Sequence, residues 1–166
     1  MWIVGMMGSG KTTAGRLAAQ DLNVRFSDTD DVVVERMGCS IAQFWGERGE
    51  AAFREIEKVA MASLAKRDGV KVTGGGVVLD ESNRAILRGA SKVVWLKAEP
   101  EILAQRLSGQ QNRPLMASDE RPRVEILEHV LTQRAHLYDE AATHYVNTDT
   151  LDVSAVAVAL EDIWQI

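Results

Sequence analysis

The chain has 166 residues, the size of one ordinary domain, so residues 1–166 are predicted to fold as a single domain. Its formal net charge of −5, from 19 basic and 24 acidic residues, argues against a general nucleic-acid-binding protein. A single cysteine, Cys39, excludes an internal disulfide and predicts a cytoplasmic protein, and no apolar run approaches the roughly 18 residues of a membrane span.

Short apolar segments alternate with amphipathic segments along the chain. Strands are predicted at 2–4, 24–27, 70–73, 93–96 and 145–147, and helices at 13–22, 53–66, 124–138 and 153–164. Short apolar strands between amphipathic helices are typical of a parallel sheet that is covered on both faces. We therefore predict an α/β fold with three layers.

The first predicted strand leads into a glycine-rich turn at residues 5–12, GMMGSGKT, which matches the phosphate-binding pattern G-x-x-x-x-G-K-[ST]. Its glycines let the backbone approach a phosphate, and the following helix points amide groups and a partial positive charge at it. Lys11 is predicted to reach the β- and γ-phosphates, and the Thr12 hydroxyl is predicted to bind Mg²⁺. The motif predicts a nucleotide-binding protein.

Two aspartates, Asp28 and Asp30, follow the second predicted strand at the edge where α/β sheets bind ligands. In a functional interpretation they supply a carboxylate near magnesium and a group that orients an acceptor hydroxyl. In a structural interpretation Asp30 caps the next helix. These two residues alone do not decide between the interpretations.

Two arginines on predicted helices also have two interpretations each. Arg54 and Glu57 lie one turn apart, either as a surface ion pair or as an arginine that a carboxylate holds toward an anionic substrate. Arg134 falls on the apolar stripe of the 124–138 helix and therefore needs a partner. That partner is either an internal carboxylate or a bound anion.

Two loops complete the candidate set. Gly74, Gly75 and Gly76 end the third predicted strand, and three glycines favour a ligand against bare backbone over a simple turn. Residues 108–122 are polar and show no helical or strand period, which is typical of a functional lid or of a disordered segment. In a phosphoryl-transfer enzyme a lid would exclude water. Arg113 lies in this segment, either as a solvated charge or as a group that stabilises the transition state.

Taken together, these motifs resemble the shikimate kinase family over nearly the whole chain. The resemblance rests on the order and spacing of GMMGSGKT, FSDTD, FREIE, TGGG, RPL and Arg134-x-x-x-Tyr138. It implies the nucleoside-monophosphate-kinase type of P-loop fold, with a five-stranded parallel sheet in the order 2-3-1-4-5. It also implies transfer of the γ-phosphate of ATP to the 3-hydroxyl of shikimate, on the route to chorismate and the aromatic amino acids.

Carried onto this chain, the resemblance implies three groups of site residues. Those for ATP and Mg²⁺ are Gly8, Ser9, Gly10, Lys11, Thr12 and Thr13, with Asp28 in the outer magnesium shell. Arg106 and the loop Asn147-Thr148-Asp149 are implied to flank adenine, and Arg113 is implied to reach the phosphates. Those for shikimate are Asp30 at the hydroxyls, Arg54 and Arg134 at the carboxylate, and Gly75 and Gly76 near the transferred phosphate. The implied catalytic residues are Lys11, Asp30 as candidate base, and Arg113 arriving with the lid. Residues 29–65 are implied to form the acceptor-binding segment.

Two alternatives remain open at this point. A gluconate kinase or a nucleoside-monophosphate kinase shares the fold, and gluconate also offers a carboxylate and hydroxyls, although FREIE and TGGG favour shikimate. A catalytically silent relative would bind nucleotide and a partner without turnover. The resemblance further implies a monomer whose partners are the small molecules shikimate and ATP.

Overall fold

The computed structural model describes residues 1–108 and 121–166. Strands and helices alternate through most of these residues, as the sequence predicts. The strands are β1 (Trp2–Gly5), β2 (Phe26–Asp28), β3 (Val70–Val72), β4 (Val93–Lys97) and β5 (His144–Asn147). The α-helices are α1 (Lys11–Asp21), α2 (Thr29–Met37), α3 (Ile41–Ala65), α4 (Glu81–Arg88), α5 (Pro100–Arg106), α6 (Arg123–Ala141) and α7 (Val153–Gln165), and a 3₁₀ turn spans Val77–Leu79.

The five strands form one parallel sheet in the order β2-β3-β1-β4-β5, which confirms the predicted order. β1 lies at the centre, where Ile3 aligns with Val72 on one side and with Val94 on the other. Because all strands run in the same direction, their carboxyl ends meet at one edge of the sheet. Among the described helices, none is long and apolar enough to cross a membrane.

Two apolar cores cover the two faces of the sheet, which confirms the three-layer prediction. Successive residues of a strand point to opposite faces, so β1 sends Trp2 and Val4 into one core and Ile3 into the other. The first core packs α3, α4 and α6 on the sheet through buried side chains such as Met61, Leu64, Leu87, Leu127 and Tyr138. The second packs α1 and α7 through Ala14, Ala18, Val156, Ala157 and Leu160.

Three of the differences between the predicted and the observed element boundaries have a local explanation. α1 begins at Lys11 rather than at residue 13, because Gly10 adopts a left-handed conformation (φ 89°, ψ 6°) that turns the loop directly into the helix. β2 is Phe26–Asp28 rather than 24–27, since its pairing with β3 runs through Asp28. α3 starts at Ile41, well before the predicted start at residue 53, and is interrupted at Gly49, which hides the helical period from the sequence.

Candidate active site

Most of the predicted site residues surround a cleft at the carboxyl ends of β1, β2 and β3. The cleft has a volume of about 290 Å³. It is lined by Met7, Gly8, Gly10, Lys11, Thr12, Thr13, Asp30, Thr73, Gly74, Gly75, Arg106 and Leu107. Residues that lie far apart in the sequence therefore meet here because the parallel strands bring their ends together.

The phosphate-binding turn fits a polyphosphate chemically. The Lys11 Nζ donates a hydrogen bond to the Met6 carbonyl oxygen at 2.7 Å, which places the ammonium across the turn. Ser9 is buried, and its Oγ has no hydrogen-bond partner among the described residues. A lysine ammonium, an unpartnered hydroxyl and the N-terminus of α1 together suit the oxygens and the charge of phosphate groups.

Thr12 and Asp28 form the oxygen pair at which the sequence predicts magnesium. The Thr12 Oγ1 donates to Asp28 Oδ2 at 3.0 Å. Burial raises the pKa of Asp28 above its ordinary value, against hydrogen bonds from the Asp30 amide and from Thr12. Mg²⁺ keeps several of its waters when a protein binds it, so two protein oxygens are enough for such a site. Larger clusters of three or more acidic, histidine or cysteine residues do not occur among the described residues.

The capping interpretation of the aspartate pair applies to Asp28, not to Asp30. Asp28 is the N-cap of α2, and its Oδ1 accepts from the Asp30 amide at 2.9 Å. The cap thus fixes the first turn of α2 and leaves the Asp30 side chain to line the cleft. The position of Asp30 also explains why residue 74 is a glycine, since a Cβ there would lie 2.8 Å from Asp30 Oδ1.

Arg54 is held in place by two acids and two aromatic rings. Its Nη1 donates to Glu57 Oε2 at 2.8 Å, its Nη2 donates to Glu50 Oε1 at 3.0 Å, and its guanidinium lies 5.5 Å from the centre of the Trp45 ring and 5.3 Å from that of Phe53. Burial alone would lower the pKa of Arg54, but the carboxylates of Glu57 and Glu50 raise it above its ordinary value.

The carboxylate that holds Arg54 is itself buried, so the surface-pair interpretation is wrong for Arg54 and Glu57. Glu57 is 1% exposed, and its burial raises its pKa while the Arg54 guanidinium opposes the rise. A guanidinium fixed in this way is oriented rather than freely solvated. It abuts the glycine turn, where a Cβ on Gly76 would lie 2.6 Å from the Arg54 Nη1.

Arg134 has a partner that the sequence does not reveal, the backbone carbonyl of Gly75. The Arg134 Nη1 donates to this oxygen at 3.1 Å, and Tyr138, one turn further along α6, donates its hydroxyl to the same oxygen. Arg134 is 5% exposed, and burial raises the pKa of Tyr138 to about 12, so the phenol remains a donor at neutral pH. Sequence reasoning missed Tyr138 as a site residue, although its i,i+4 spacing from Arg134 was the available signal.

Arg106 and the loop 147–149, expected together beside adenine, are in contact through Thr148, but Arg106 and Asn147 line different cavities. Arg106 lines the cleft, and its Nη1 donates to Thr148 Oγ1 at 3.0 Å. Asn147 instead lines a neighbouring cavity of about 190 Å³, and its Oδ1 accepts from the Asp149 amide at 2.8 Å. Thr148, whose hydroxyl also donates to the Lys97 carbonyl at 3.0 Å, is the residue of this loop that contacts Arg106.

Arg113 and most of the predicted lid, residues 109–120, lie outside the described residues. The described ends of that segment are Ser108, just after α5, and Arg121 and Pro122, just before α6. The predictions for Arg113 and for a lid at 108–122 therefore stay predictions.

The site has a P-loop at the carboxyl ends of a parallel sheet, an aspartate in the cleft, and two oriented arginines against the adjoining glycine turn. Such a set of groups is typical of a phosphotransferase of the P-loop kinase class that acts on a small anionic acceptor. The family model described as shikimate kinase matches residues 7–163. This match covers most of the chain, which belongs to the shikimate kinase family.

Individual relatives agree with this membership. The chain is 42% identical over 161 residues to the shikimate kinase of Moorella thermoacetica, covering 96% of this chain and 91% of the relative. It is 44% identical over 140 residues to that of Geobacter sulfurreducens, covering 84% and 76%. Among solved structures, the shikimate kinase of Acinetobacter baumannii in complex with shikimate superposes with a TM-score of 0.93 at 32% identity, covering 99% of this chain and 91% of that one.

Proposed function

We propose how the described residues divide the work of a shikimate kinase. The chain is an ATP- and Mg²⁺-dependent kinase that transfers the γ-phosphate of ATP to the 3-hydroxyl of shikimate, giving shikimate 3-phosphate and ADP, on the route to chorismate. In this proposal residues 1–166 form one kinase domain, and residues 29–65 form its acceptor-binding segment.

One observation carries this proposal: the glycine turn at 74–76 joins the phosphate site to the two arginines. Gly75 lies against the P-loop, where its Cβ would be 3.4 Å from the Gly5 carbonyl oxygen, and its own carbonyl holds Arg134. Gly76 lies against Arg54. An acceptor whose carboxylate reaches Arg54 and Arg134 would therefore have its hydroxyls close to the P-loop.

The acceptor side suits the chemistry of shikimate, which has one carboxylate and three hydroxyls. Arg54 and Arg134 would hold the carboxylate, since a guanidinium can donate two parallel hydrogen bonds to it. Asp30 would accept a hydrogen bond from the 3-hydroxyl and orient its oxygen toward the γ-phosphorus. Gly75 and Gly76 would let the ring lie close to the backbone.

In the proposed reaction the 3-hydroxyl oxygen forms a bond to the γ-phosphorus while the bond from that phosphorus to the ADP oxygen breaks. The hydroxyl proton passes to Asp30. Lys11 leaves the Met6 carbonyl for the β- and γ-phosphate oxygens, and the amides of Gly8, Ser9 and Gly10 hold the same group. Because the transition state is loose, position and charge account for most of the rate.

Thr12 and Asp28 would hold Mg²⁺, Thr12 directly and Asp28 through a water in the outer shell. When bound, the ion neutralises charge on the β- and γ-phosphates. Thr13 would contact the phosphates from the first turn of α1, and Arg106 and Asn147 would flank adenine. Arg113, outside the described residues, would reach the transferred phosphate when residues 108–122 close.

Coupled measurement of ADP release tests the acceptor assignment. Mg-ATP is supplied with shikimate, quinate, gluconate or AMP, and stimulation by shikimate alone is expected. Stimulation by gluconate or AMP instead would keep the phosphate half of the proposal and overturn the roles of Arg54 and Arg134. No stimulation by any acceptor would favour a nucleotide-binding relative without kinase activity.

We further propose that the protein acts as a cytoplasmic monomer. The resemblance to the shikimate kinase family implies a monomer, and the single cysteine and the use of ATP suit the cytoplasm. Light scattering coupled to size-exclusion chromatography tests the oligomeric state. A mass near 18.3 kDa is expected, and twice that mass would overturn the monomer.

A further inference from the structure

Another cavity lies toward the amino-terminal ends of the strands, away from the active-site cleft at their carboxyl ends. It has a volume of about 640 Å³ and opens between the amino-terminal ends of β1, β3 and β4 and the carboxyl-terminal ends of α3, α4 and α7. Its wall includes Trp2, Ala65, Lys71, Ile86, Lys92 and Trp164. None of these residues takes part in the proposed phosphoryl transfer.

Lys71 is the unusual residue of this cavity, because it is a buried cation without a polar partner. The residue is 7% exposed, and its Nζ lies 4.9 Å from the centre of the Trp2 ring. Within the described part of the chain, this Nζ makes no hydrogen bond and no ion pair within 4.0 Å. Burial lowers the pKa of Lys71, against the raising effect of Asp68. A partly desolvated charge in this position gains from a partner of opposite charge.

Lys92, the second lysine of the cavity, is already satisfied. Its Nζ donates to the Trp164 carbonyl oxygen at 2.5 Å, at the carboxyl-terminal end of α7. A cation in this position neutralises unpaired carbonyls and the negative end of the helix dipole. Lys92 therefore has a structural explanation within the fold, whereas Lys71 has the face of an aromatic ring and the more distant charge of Asp68, with no hydrogen bond to its ammonium among the described residues.

We infer that this cavity is a binding site for a small organic anion that carries a flat apolar ring. The anionic group would pair with Lys71, and the ring would lie against the apolar wall that includes Ile86 and Trp164. The volume falls in the range of about 300–1,000 Å³ that is usual for small-molecule sites. This site is separate from the proposed acceptor site, since no residue lines both cavities.

Benzoate is the probe for this site, with benzamide as its neutral counterpart and inorganic phosphate as an anion without a ring. Each is titrated into isotope-labelled protein in the presence of saturating shikimate, while the indole N–H resonances of the four tryptophans are followed by NMR. The Trp164→Phe variant assigns the Trp164 resonance. Benzoate is expected to shift the Trp2 and Trp164 resonances in a saturable way, and to leave that of Trp45 in place.

Lys71→Met is expected to weaken benzoate binding by at least about tenfold, as loss of a charge-assisted hydrogen bond would. Lys71→Gln serves the same purpose if the first variant does not fold, and Lys66→Met, at an exposed lysine outside the cavity, should bind benzoate as the parent does. Equal affinity in the parent and in Lys71→Met, equal affinity for benzamide, or tighter binding of phosphate would overturn the inference. Shifts confined to Trp45 would place benzoate at the acceptor site and overturn it as well.

Discussion

The phosphate side and the acceptor side of the cleft are built in different ways. Residues 8–13 are consecutive, and they act through backbone amides, one lysine and a helix terminus. The acceptor side combines Arg54 on α3, the turn at 74–76 and Arg134 on α6, whose bond to Gly75 spans 59 residues. A contiguous site depends on local geometry, whereas an assembled site depends on how helices pack on the sheet. Substitutions on the phosphate side should therefore lower kcat, whereas substitutions on the acceptor side should raise the KM for shikimate.

Lys11→Ala tests the phosphate side and should have the largest effect. Removing this ammonium takes a positive charge from the place where transition-state charge develops, so kcat should fall by about a hundred- to a thousandfold. The KM for shikimate should change little, because Lys11 does not contact the acceptor. Steady-state ADP release measures both constants. Lys66→Ala, at an exposed lysine, is the matched control, and a near-normal kcat in Lys11→Ala would refute the assigned role.

Asp30→Asn tests the residue where the two sides meet. The amide keeps the size of the side chain but accepts a proton far less well, so kcat should fall by about a hundredfold. Circular dichroism and thermal unfolding should match the parent, because Asp28 and not Asp30 caps α2. The exposed neighbour Asp31 provides the control Asp31→Asn. An unchanged kcat in Asp30→Asn would leave the reaction without its proposed proton acceptor.

Arg54→Lys tests the acceptor side. Lysine keeps the charge but loses the planar fork that suits a carboxylate, so the KM for shikimate should rise by about tenfold. The KM for ATP should remain close to that of the parent. Arg48→Lys, on the same helix but exposed, is the control. A rise in the KM for ATP that equals the rise for shikimate would remove the distinction between the two sides.

The same contrast explains what the sequence could predict. The P-loop is readable because its parts are adjacent, and Arg54 with Glu57 is readable because a helix fixes their spacing. The partner of Arg134 is a backbone carbonyl, and because every residue has one, the amino-acid type at position 75 does not reveal the contact. The sequence likewise left open whether Asp30 caps α2, and the backbone gives the cap to Asp28. Asn147, predicted beside adenine, lines a separate cavity because the loop after β5 turns Thr148 toward Arg106.

Tyr138→Phe tests whether α6 positions the acceptor side through the Gly75 carbonyl. The variant removes one hydrogen bond from a fully buried ring and leaves the bond from Arg134, so the free energy of unfolding should fall by about 1 kcal/mol. A less firmly held glycine turn should raise the KM for shikimate a few-fold without affecting that for ATP. Tyr145→Phe, at a tyrosine that is 49% exposed, should change neither. A loss of stability with no change in KM would limit Tyr138 to a structural role.

Asp28→Asn should have the smallest effect of these variants. Whether it stabilises or destabilises the protein should depend on whether Mg-ATP is bound. The pKa of Asp28 is raised in the folded chain, so its contribution to stability is complete below the ordinary value of 3.8 and is lost as the pH rises through the folded pKa. Asparagine stays neutral and still caps a helix, so without Mg²⁺ the variant should gain stability relative to the parent as the pH rises. Urea unfolding at about pH 4 and pH 7 measures this difference, with Asp162→Asn, at an exposed aspartate on α7, as control.

With Mg-ATP bound, the parent should be more stable than Asp28→Asn, because a bound cation favours the ionised carboxylate that asparagine lacks. Asp28→Asn should therefore need more Mg²⁺ for half-maximal turnover while its KM for shikimate stays unchanged. A variant that is less stable than the parent at pH 7 without Mg²⁺ would show that the carboxylate stabilises the fold. The raised pKa would then have no functional explanation. A gain in stability together with a weaker response to Mg²⁺ would place Asp28 on the phosphate side, as a group whose charge is held for the metal rather than for the fold.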